Sequence, residues 1–359
     1  METLLKRVGE RARSLALGQG LEVSAAVAKT LDELAENEAV GSESELVARA
    51  HAGLLGFGEL EPFLADPEVE ELWMNEPNRL FVCKRGKVAS QEIDFSTEQV
   101  EVAIDRMLRS IGRRIDRSTP FVDAPLEDGS RLHVVIPDVT RRHISFNIRR
   151  YVENQATLAS LTESGVMRED QRLTLASALA RGETVVVSGS TAAGKTTLLC
   201  ALLRSLPAQE RIVSVEDTFE IAIKNPDWVA MQTRPASLEG EGEIDLRRLI
   251  REALRMRPSR LVVGEVRGAE AVELLVALNS GIPALCTVHS NSAEHALTKL
   301  TTLPLLSGVR VPIEFVKFVI GSTVGLIAHC ETEPSGRRSL KQLVRVTWAD
   351  GQLGVADAA

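Results

Sequence analysis

The spacing of hydrophobic and polar positions divides the chain into stretches of different character. Over residues 1–56 apolar residues recur at helical spacing, beginning with residues 4–15, which predicts a helical N-terminal extension. Residues 57–150 instead combine short alternating runs with one helical pattern, expected from about residue 97 to residue 112. A smaller domain of mixed helix and strand, predicted as α/β or α+β, therefore follows the extension.

The last strand-like run of this smaller domain, "HISFNIRR", alternates clearly. Since neighbouring side chains of a strand point to opposite faces, Ile144, Phe146 and Ile148 share one face and leave Arg149 on the other. Arg149 is then available to bind a phosphate, and Arg131, just after an Asp-Gly turn, is a second candidate. Arginines that only face solvent would give the same pattern.

Residues 151–164 are polar and lack strand spacing, so we expect an interdomain linker there and a second domain over residues 165–350. In that domain apolar runs alternate with helical patterns, which is typical of a largely parallel sheet in an α/β fold. The expected strands are "ETVVVS", "RIVSVE", "SRLVVGE", "PALCTVH", "VGLIAHC" and "LKQLVRVTW". The last two are expected to form a hairpin around "PSGRR".

Composition narrows the functional classes. The 359 residues are 44% hydrophobic and 26% charged, which fits a soluble protein of two or three domains. The net charge of -8 argues against general nucleic-acid binding. The stretch "RMLRSIGRRIDR" is locally basic, which fits either a local contact with nucleic acid or a solvent-exposed helix face. The four cysteines are widely separated, which predicts neither zinc binding nor disulfides and favours reduced, cytosolic thiols. No run approaches the roughly eighteen apolar residues of a membrane span.

The stretch "VVVSGSTAAGKTTLLCALL", residues 185–203, places a β-branched run, a loop of small residues and a helical pattern in succession. It satisfies the spacing G-x-x-x-x-G-K-[ST] of a phosphate-binding loop (P-loop). Backbone N–H groups and the helix dipole of such a loop bind phosphate oxygens, the lysine reaches the outer phosphates, and the hydroxyl ligates Mg²⁺. We therefore expect a nucleoside triphosphate and Mg²⁺ as ligands. The loop residues expected to bind nucleotide are Gly189, Ser190, Thr191, Ala192, Ala193, Gly194, Lys195, Thr196 and Thr197, with Thr196 on the metal.

Ligands of parallel sheets bind beyond the carboxyl ends of the strands, so polar residues are expected where each strand stops. The run "RIVSVEDTFE" ends at Glu216 and Asp217, and "SRLVVGEVRG" ends at Glu265, so carboxylates are available for Mg²⁺ or an attacking water. The run "IPALCTVHSNS" ends at Thr287 and His289, where a hydrogen-bonding group can meet the γ-phosphate. Each residue alone also fits a surface acid or a structural histidine, whereas their coincidence favours nucleotide hydrolysis.

At this point the segments resemble the type II/type IV secretion ATPases, most closely the Tad/Flp-pilus assembly branch (CpaF/TadA-like). The resemblance covers about residues 55–343 and rests on "FGELEPFLADPEVEELWMN", "GRRIDRSTPFVDAPLEDGSRLHVVIP", "GSTAAGKTT", "VEDTFEI", "TRP", "EALRMRPSRLVVGEVRG" and "TVHSNS". In that family "VEDTFE" is the acidic Asp box, "LVVGEVRG" an atypical Walker B with glutamate, and "TVHSNS" the His box. The chain departs from it at Ala192 and Ala193, where relatives often carry Gly-Ser.

The resemblance implies a RecA-like P-loop ATPase domain at the C-terminal side of a smaller, PAS-like N-terminal domain, assembled as a homo-hexamer. Carried over to this sequence, Glu265 is the general base, Glu216 an auxiliary acid near Mg²⁺, and His289 a γ-phosphate sensor. Arg131 and Arg149 match the basic positions with which the N-terminal domain reaches nucleotide. The implied location is the cytoplasmic face of the inner membrane, reached through platform proteins.

The function implied is a motor ATPase whose domain motion drives pilin extrusion or retraction through the inner-membrane platform. A conjugation or type IV secretion traffic ATPase shares these motifs and stays an alternative. A nucleotide-gated scaffold without turnover and a RecA-like helicase use the same loop, although the acidic balance disfavours direct nucleic-acid binding. The missing tetracysteine zinc site points away from the type II secretion branch.

Overall fold

The computed structural model describes residues 57–84, 86–126, 128–150, 155–236 and 241–359, with isolated positions between residues 8 and 33. The predicted helical extension, residues 1–56, lies outside these stretches. The chain divides into two compact units, Met1–Val152 and Glu153–Ala359.

The first unit contains a six-stranded sheet in the order β3-β2-β1-β6-β5-β4, and every neighbouring pair is antiparallel. Its strands are β1 (Val69–Glu76), β2 (Arg79–Lys84), β3 (Lys87–Glu92), β4 (Phe121–Pro125), β5 (Arg131–Val135) and β6 (Ser145–Arg149). A 3₁₀ turn, Gly58–Leu60, and the short helix α1 (Glu61–Ala65) precede them, and α2 (Thr97–Ser110) follows β3.

Helix α2 confirms the predicted helix and ends two residues earlier. It begins with a capping box, in which the Ser96 hydroxyl accepts from the Gln99 N–H and the Gln99 side chain accepts from the Ser96 N–H. Its apolar face is buried in the core of this unit at Val100, Ala103, Ile104, Met107 and Leu108. The predicted alternation of the "HISFNIRR" strand is confirmed, because the apolar residues at 144, 146 and 148 are buried and Arg149 is exposed.

The second unit contains an eight-stranded sheet in the order β14-β13-β12-β7-β11-β10-β8-β9. Six neighbouring strands, from β12 to β9 in that order, are parallel, and the β12–β13–β14 meander adds antiparallel strands at one edge. The strands are β7 (Thr184–Gly189), β8 (Ile212–Glu216), β9 (Trp228–Gln232), β10 (Arg260–Val266), β11 (Ala284–His289), β12 (Val324–Thr332), β13 (Arg338–Ala349) and β14 (Gln352–Asp357). The helices are α3 (Leu158–Glu163), α4 (Glu169–Ala180), α5 (Lys195–Arg204), α6 (Leu246–Arg255), α7 (Ala271–Asn279), α8 (Ala293–Thr302) and α9 (Ile313–Thr323), with a 3₁₀ turn at Leu303–Leu306.

Helices cover both faces of this parallel sheet, which explains the uninterrupted apolar runs in the sequence. On β7, Val185 and Val187 pack into one core cluster and Val186 into the other, and all three are at most 1% exposed. The six predicted strands are all present, and β12 and β13 form the predicted hairpin.

Three elements of this unit were not predicted. Strand β9 extends the sheet beside β8, and β14 lies beyond the expected domain end at residue 350. The polar stretch expected to be a linker, residues 151–164, includes helix α3, whose Leu158 and Leu161 are buried in the core of the second unit. The helix escaped prediction because two apolar residues three positions apart are too few to show helical periodicity.

Candidate nucleotide-binding and catalytic site

The predicted P-loop joins the end of β7 to the start of α5. Gly194 forms the N-cap of α5 in the left-handed conformation with φ of 90°, which glycine adopts without steric cost. Gly189 has φ of 151°, and a Cβ there would collide with the backbone carbonyl oxygen of Cys330 on β12. Both glycines are therefore required by the backbone path of the loop.

The tip of the loop closes on itself. The Ala193 N–H donates to the Ser190 carbonyl oxygen at 3.3 Å, and the Lys195 Nζ donates to the same oxygen at 2.8 Å. Ala192 has φ of 60°, a left-handed conformation that costs an alanine roughly 1–2 kcal/mol. Of the two residues that depart from the family pattern, Ala192 thus carries backbone strain and Ala193 is buried.

A chain of hydrogen bonds links the P-loop to the end of β8. The Thr196 hydroxyl donates to the Glu220 carboxylate at 3.1 Å. The Glu220 and Ile221 N–H groups in turn donate to Oε2 of Glu216 at 2.8 and 2.9 Å. The two residues predicted to hold Mg²⁺, Thr196 and Glu216, are therefore joined through Glu220, which sequence reasoning did not single out.

Glu216 is only 2% exposed. Burial, with a smaller contribution from the nearby Glu220, raises the pKa of its carboxyl to about 7. The two N–H donors oppose this shift. Among the described residues, its Oε1 has no hydrogen-bond partner. A buried carboxylate oxygen without such a partner, in a residue linked through Glu220 to the Thr196 hydroxyl, fits a hard, oxygen-binding cation such as Mg²⁺.

The ends of β10 and β11 meet the same region. A Cβ at Gly264 would lie 3.0 Å from the Glu216 Cγ, so the Glu216 side chain lies over this glycine. The Thr287 hydroxyl of β11 donates to the Gly264 carbonyl oxygen at 2.6 Å. Glu265 is the residue after Gly264 on β10, and its Oε2 lies 3.0 Å from a guanidinium nitrogen of Arg267. The structure thus brings Glu216, Glu265 and Thr287 together, as their positions at strand ends suggested.

His289 is the last residue of β11 and pairs in register with Gly189, the first glycine of the P-loop. Its carbonyl oxygen accepts from the Lys299 Nζ at 2.6 Å, and the next N–H, of Ser290, donates to the Gly189 carbonyl oxygen at 3.2 Å. The histidine predicted as a phosphate sensor therefore lies beside the loop.

A second histidine supports the loop and was not predicted. His329 of β12 is 4% exposed, and its Nδ1 is hydrogen-bonded to the Ser188 hydroxyl at 2.9 Å. Burial lowers the pKa of this histidine, and the nearby Lys195 adds to the effect, against Glu331 and Glu294. The ring lies in the middle of an apolar run, "VGLIAHC", where the sequence gives no sign of a functional contact.

The two arginines expected to reach nucleotide are neighbours in the first unit. Arg131 on β5 and Arg149 on β6 are directly paired across the two strands. The Arg131 guanidinium makes a two-point contact with Asp123, at 2.8 Å from Nε and 2.5 Å from Nη2. Their contact with nucleotide stays a prediction.

Together these residues form a site suited to phosphoryl chemistry. Backbone N–H groups and a lysine at a helix N-terminus match phosphate oxygens. Glu216 and Glu265 differ in environment, because Glu216 is buried and Glu265 is paired with a cation. Carboxylates in such unlike surroundings can take different roles, one near a metal and one near a water.

The chain is similar to a known family of proteins over most of its length. The family model "Type II/IV secretion system protein" matches residues 54–341. A putative conjugal transfer protein of Mycobacterium tuberculosis is 34% identical over 309 residues, which cover 84% of this chain and 87% of that protein. The probable conjugal transfer protein TrbB of Sinorhizobium fredii is 34% identical over 299 residues, which cover 81% of this chain and 88% of the relative.

Solved structures share the fold at lower identity. The pilus retraction motor PilT with bound ADP aligns with a TM-score of 0.55 and 17% identity, over 84% of this chain and 83% of PilT. The Legionella pneumophila ATPase DotB aligns with a TM-score of 0.54 and 18% identity, over 80% of this chain and 78% of DotB. The α/β fold expected from the sequence is therefore confirmed.

Proposed function

This chain belongs to the type II/IV secretion system protein family and is an ATPase, and we propose that it works as a motor of pilus assembly. In the proposed cycle, ATP hydrolysis changes the position of the two units and so moves an inner-membrane platform that extrudes or withdraws pilin. The observation that supports it best is the meeting of three strand ends at the P-loop, in a chain whose other unit carries two adjacent arginines.

Each residue has a proposed role in hydrolysis. The P-loop amides and Lys195 hold the β- and γ-phosphates, and Thr196 with Glu216 would hold Mg²⁺, which supplies neutralisation of phosphate charge. Glu265 accepts the proton of the attacking water, and His289 donates a hydrogen bond to the γ-phosphate.

For the position of the first unit to depend on the bound nucleotide, that unit needs a cationic side chain that reaches the γ-phosphate. Arg131 and Arg149 are proposed to do this, so that domain position follows nucleotide state. We further propose a homo-hexameric ring, held at the cytoplasmic face of the inner membrane by platform proteins. None of the helices in the described part of the chain combines the length and the apolar character of a membrane span.

Phosphate release by the purified protein tests the site. Lys195→Ala is expected to bind ATP weakly and hydrolyse almost none, because it removes the charge that holds the outer phosphates. Glu265→Gln is expected to reduce turnover about 10²- to 10⁴-fold and to leave nucleotide affinity largely intact. Glu314→Gln, at a glutamate on α9 whose side chain is 72% exposed, is the matched control.

Three results would contradict the residue assignments or the motor function. Normal turnover by Lys195→Ala would remove the P-loop from the mechanism. A larger loss of turnover in Glu216→Gln than in Glu265→Gln would reverse the two carboxylate roles. Binding of ATP by the wild-type protein without phosphate release would favour a nucleotide-gated scaffold over a motor.

A second candidate is a conjugation or type IV secretion traffic ATPase. The relatives at 34% identity are described as conjugal transfer proteins, which favours this alternative. Replacing the native gene by one encoding Lys195→Ala distinguishes the two functions. Loss of surface pilin with normal DNA transfer supports the pilus motor, and loss of DNA or effector export with normal pili supports the traffic ATPase.

A further inference from the structure

One arginine bridges two of the strand ends. Arg267 follows β10 directly, and one guanidinium nitrogen, Nη2, lies 3.0 Å from Oε2 of Glu265 and 3.2 Å from Oδ2 of Asp217. Glu265 lies on β10 and Asp217 follows β8, and these two strands are parallel neighbours. A single cation therefore joins two carboxylates that would otherwise repel each other across the sheet edge.

The backbone that carries this arginine is fixed, whereas its side chain reaches the surface. The Glu270 carboxylate accepts from the Arg267 and Gly268 N–H groups, the latter at 2.7 Å, and Glu270 is 8% exposed. The Arg267 side chain is 52% exposed. Ion pairs at such exposure contribute little to the stability of the folded state, so folding does not account for the bridge.

We propose that Arg267 is a positioning residue that fixes the carboxylate of Glu265 for its reaction with water. This proposal rests on the proposed role of Glu265 as general base. A glutamate at the end of a strand has several staggered rotamers, and the arginine selects the one that places the carboxylate against its guanidinium. The Gly264 carbonyl oxygen is already fixed by Thr287, so the arginine completes the positioning of this strand end.

The chemistry of the bridge argues for positioning instead of nucleotide binding. Both ion-pair partners of the guanidinium among the described residues are carboxylates of the two strand ends, so it is directed toward the proposed base. Displacement of a catalytic group by about 1 Å costs on the order of 10²-fold in rate. Loss of the bridge should therefore lower kcat and leave the affinity for nucleotide unchanged.

The test compares kcat, KM and equilibrium affinity for a non-hydrolysable ATP analogue in variants of the full chain. Arg267→Met is expected to lower kcat roughly 10- to 100-fold with affinity within about twofold of wild type. Arg267→Lys is expected to recover part of the loss, because an ammonium can still contact both carboxylates. Arg248→Met, which removes an exposed arginine from α6, is the control and should match the wild type.

A mutant cycle with Asp217→Asn separates positioning from other roles. The double variant Arg267→Met with Asp217→Asn is expected to be no slower than Arg267→Met alone, since one bridge is lost in either case. Three outcomes would each overturn the proposal. The losses of kcat in the two single variants could be fully additive in the double variant, or Arg267→Met could keep the kcat of the wild type. The third outcome is a tenfold fall in the nucleotide affinity of Arg267→Met. The last result would assign Arg267 to the nucleotide.

Glu265→Gln separates this inference from the proposed function. If Glu265→Gln has lost turnover and Arg267→Met retains it, only the positioning role fails. If Glu265→Gln turns over normally, the assignment of the general base fails and the positioning role fails with it. In a slow Glu265→Gln background, Arg267→Met should cause no further loss, because there is then no base to position.

Discussion

The burial of Glu216 predicts a measurable dependence of stability on pH. In the protein free of nucleotide and Mg²⁺, burial raises the pKa of this carboxyl from its ordinary value of 4.5 to about 7. The folded protein therefore holds a proton that the unfolded chain releases at lower pH. The resulting stability is fully present below pH 4.5 and is lost as the pH rises through about 7. Glu216→Gln removes this loss, because an amide has no charge to desolvate.

The size of the effect follows from the two pKa values. One pKa unit corresponds to about 1.4 kcal/mol, so the complete effect is about 3 kcal/mol. Between pH 5 and pH 8 the stability of Glu216→Gln should rise relative to the wild type by roughly 2 to 3 kcal/mol. The glutamine oxygen can still accept from the Glu220 and Ile221 N–H groups, so the structure is expected to persist.

Urea unfolding in the presence of EDTA measures this difference. Trp228 and Trp348 belong to the second unit, and Trp73 belongs to the first, where it stacks on Phe81 with ring centroids 5.6 Å apart. A Trp73→Phe background keeps an aromatic ring at that position and restricts the fluorescence signal to the unit that contains Glu216. Unfolding is then followed at several pH values for the wild type and for Glu216→Gln.

Glu314→Gln again serves as the control, because its carboxylate is largely exposed. Its stability should run parallel to that of the wild type over the whole pH range. If Glu216→Gln also runs parallel to the wild type, the carboxyl of Glu216 is not desolvated, and the reasoning from its burial is refuted.

Three further predictions concern the P-loop and the core of the second unit. Gly189→Ala should lose affinity for a fluorescent ATP analogue, since its Cβ would collide with the Cys330 carbonyl oxygen; unchanged affinity would contradict that close approach. Ala192→Gly should raise the urea midpoint, with a gain of up to about 1 kcal/mol, because relief of left-handed strain outweighs the added chain entropy; a lower midpoint would be inconsistent with φ of 60°. Glu210→Gln should lower the unfolding free energy by about 3 kcal/mol, because the guanidinium of Arg260 is 2% exposed and pairs with Glu210 at 2.8 Å; a loss below about 1 kcal/mol would mean that the pair is hydrated.

Much of the second unit could be predicted because its main motifs are formed by residues that are consecutive in the chain. The P-loop can be recognised since the strand, the small-residue loop and the helix are consecutive in the chain. Parallel strands buried on both faces give continuous β-branched runs, so β7 and β10 were evident. Strand β9 was not, because all five of its residues are half-buried and show neither alternation nor a continuous apolar run.

The remaining parts of the site depend on contacts between distant residues. Glu220 joins Thr196 to Glu216 only because the chain turns back after β8. His329 meets Ser188 across 141 positions of sequence, at a place fixed by strand register. Arg267 stands next to Glu265 in the sequence, yet its bridge to Asp217 follows from the order of strands in the sheet. Sequence spacing identifies candidate groups, and the sheet topology decides which of them meet.

The contact of Gly189 with the Cys330 carbonyl oxygen has a consequence for truncation. The P-loop motif is complete by residue 196, but the strand that supports its first glycine lies more than a hundred residues later. A minimal fragment designed around the sequence motifs alone, ending after the His box, would omit β12 and leave β7 as an uncovered sheet edge. The shortest fragment that still binds nucleotide should therefore extend through the β12–β13 hairpin.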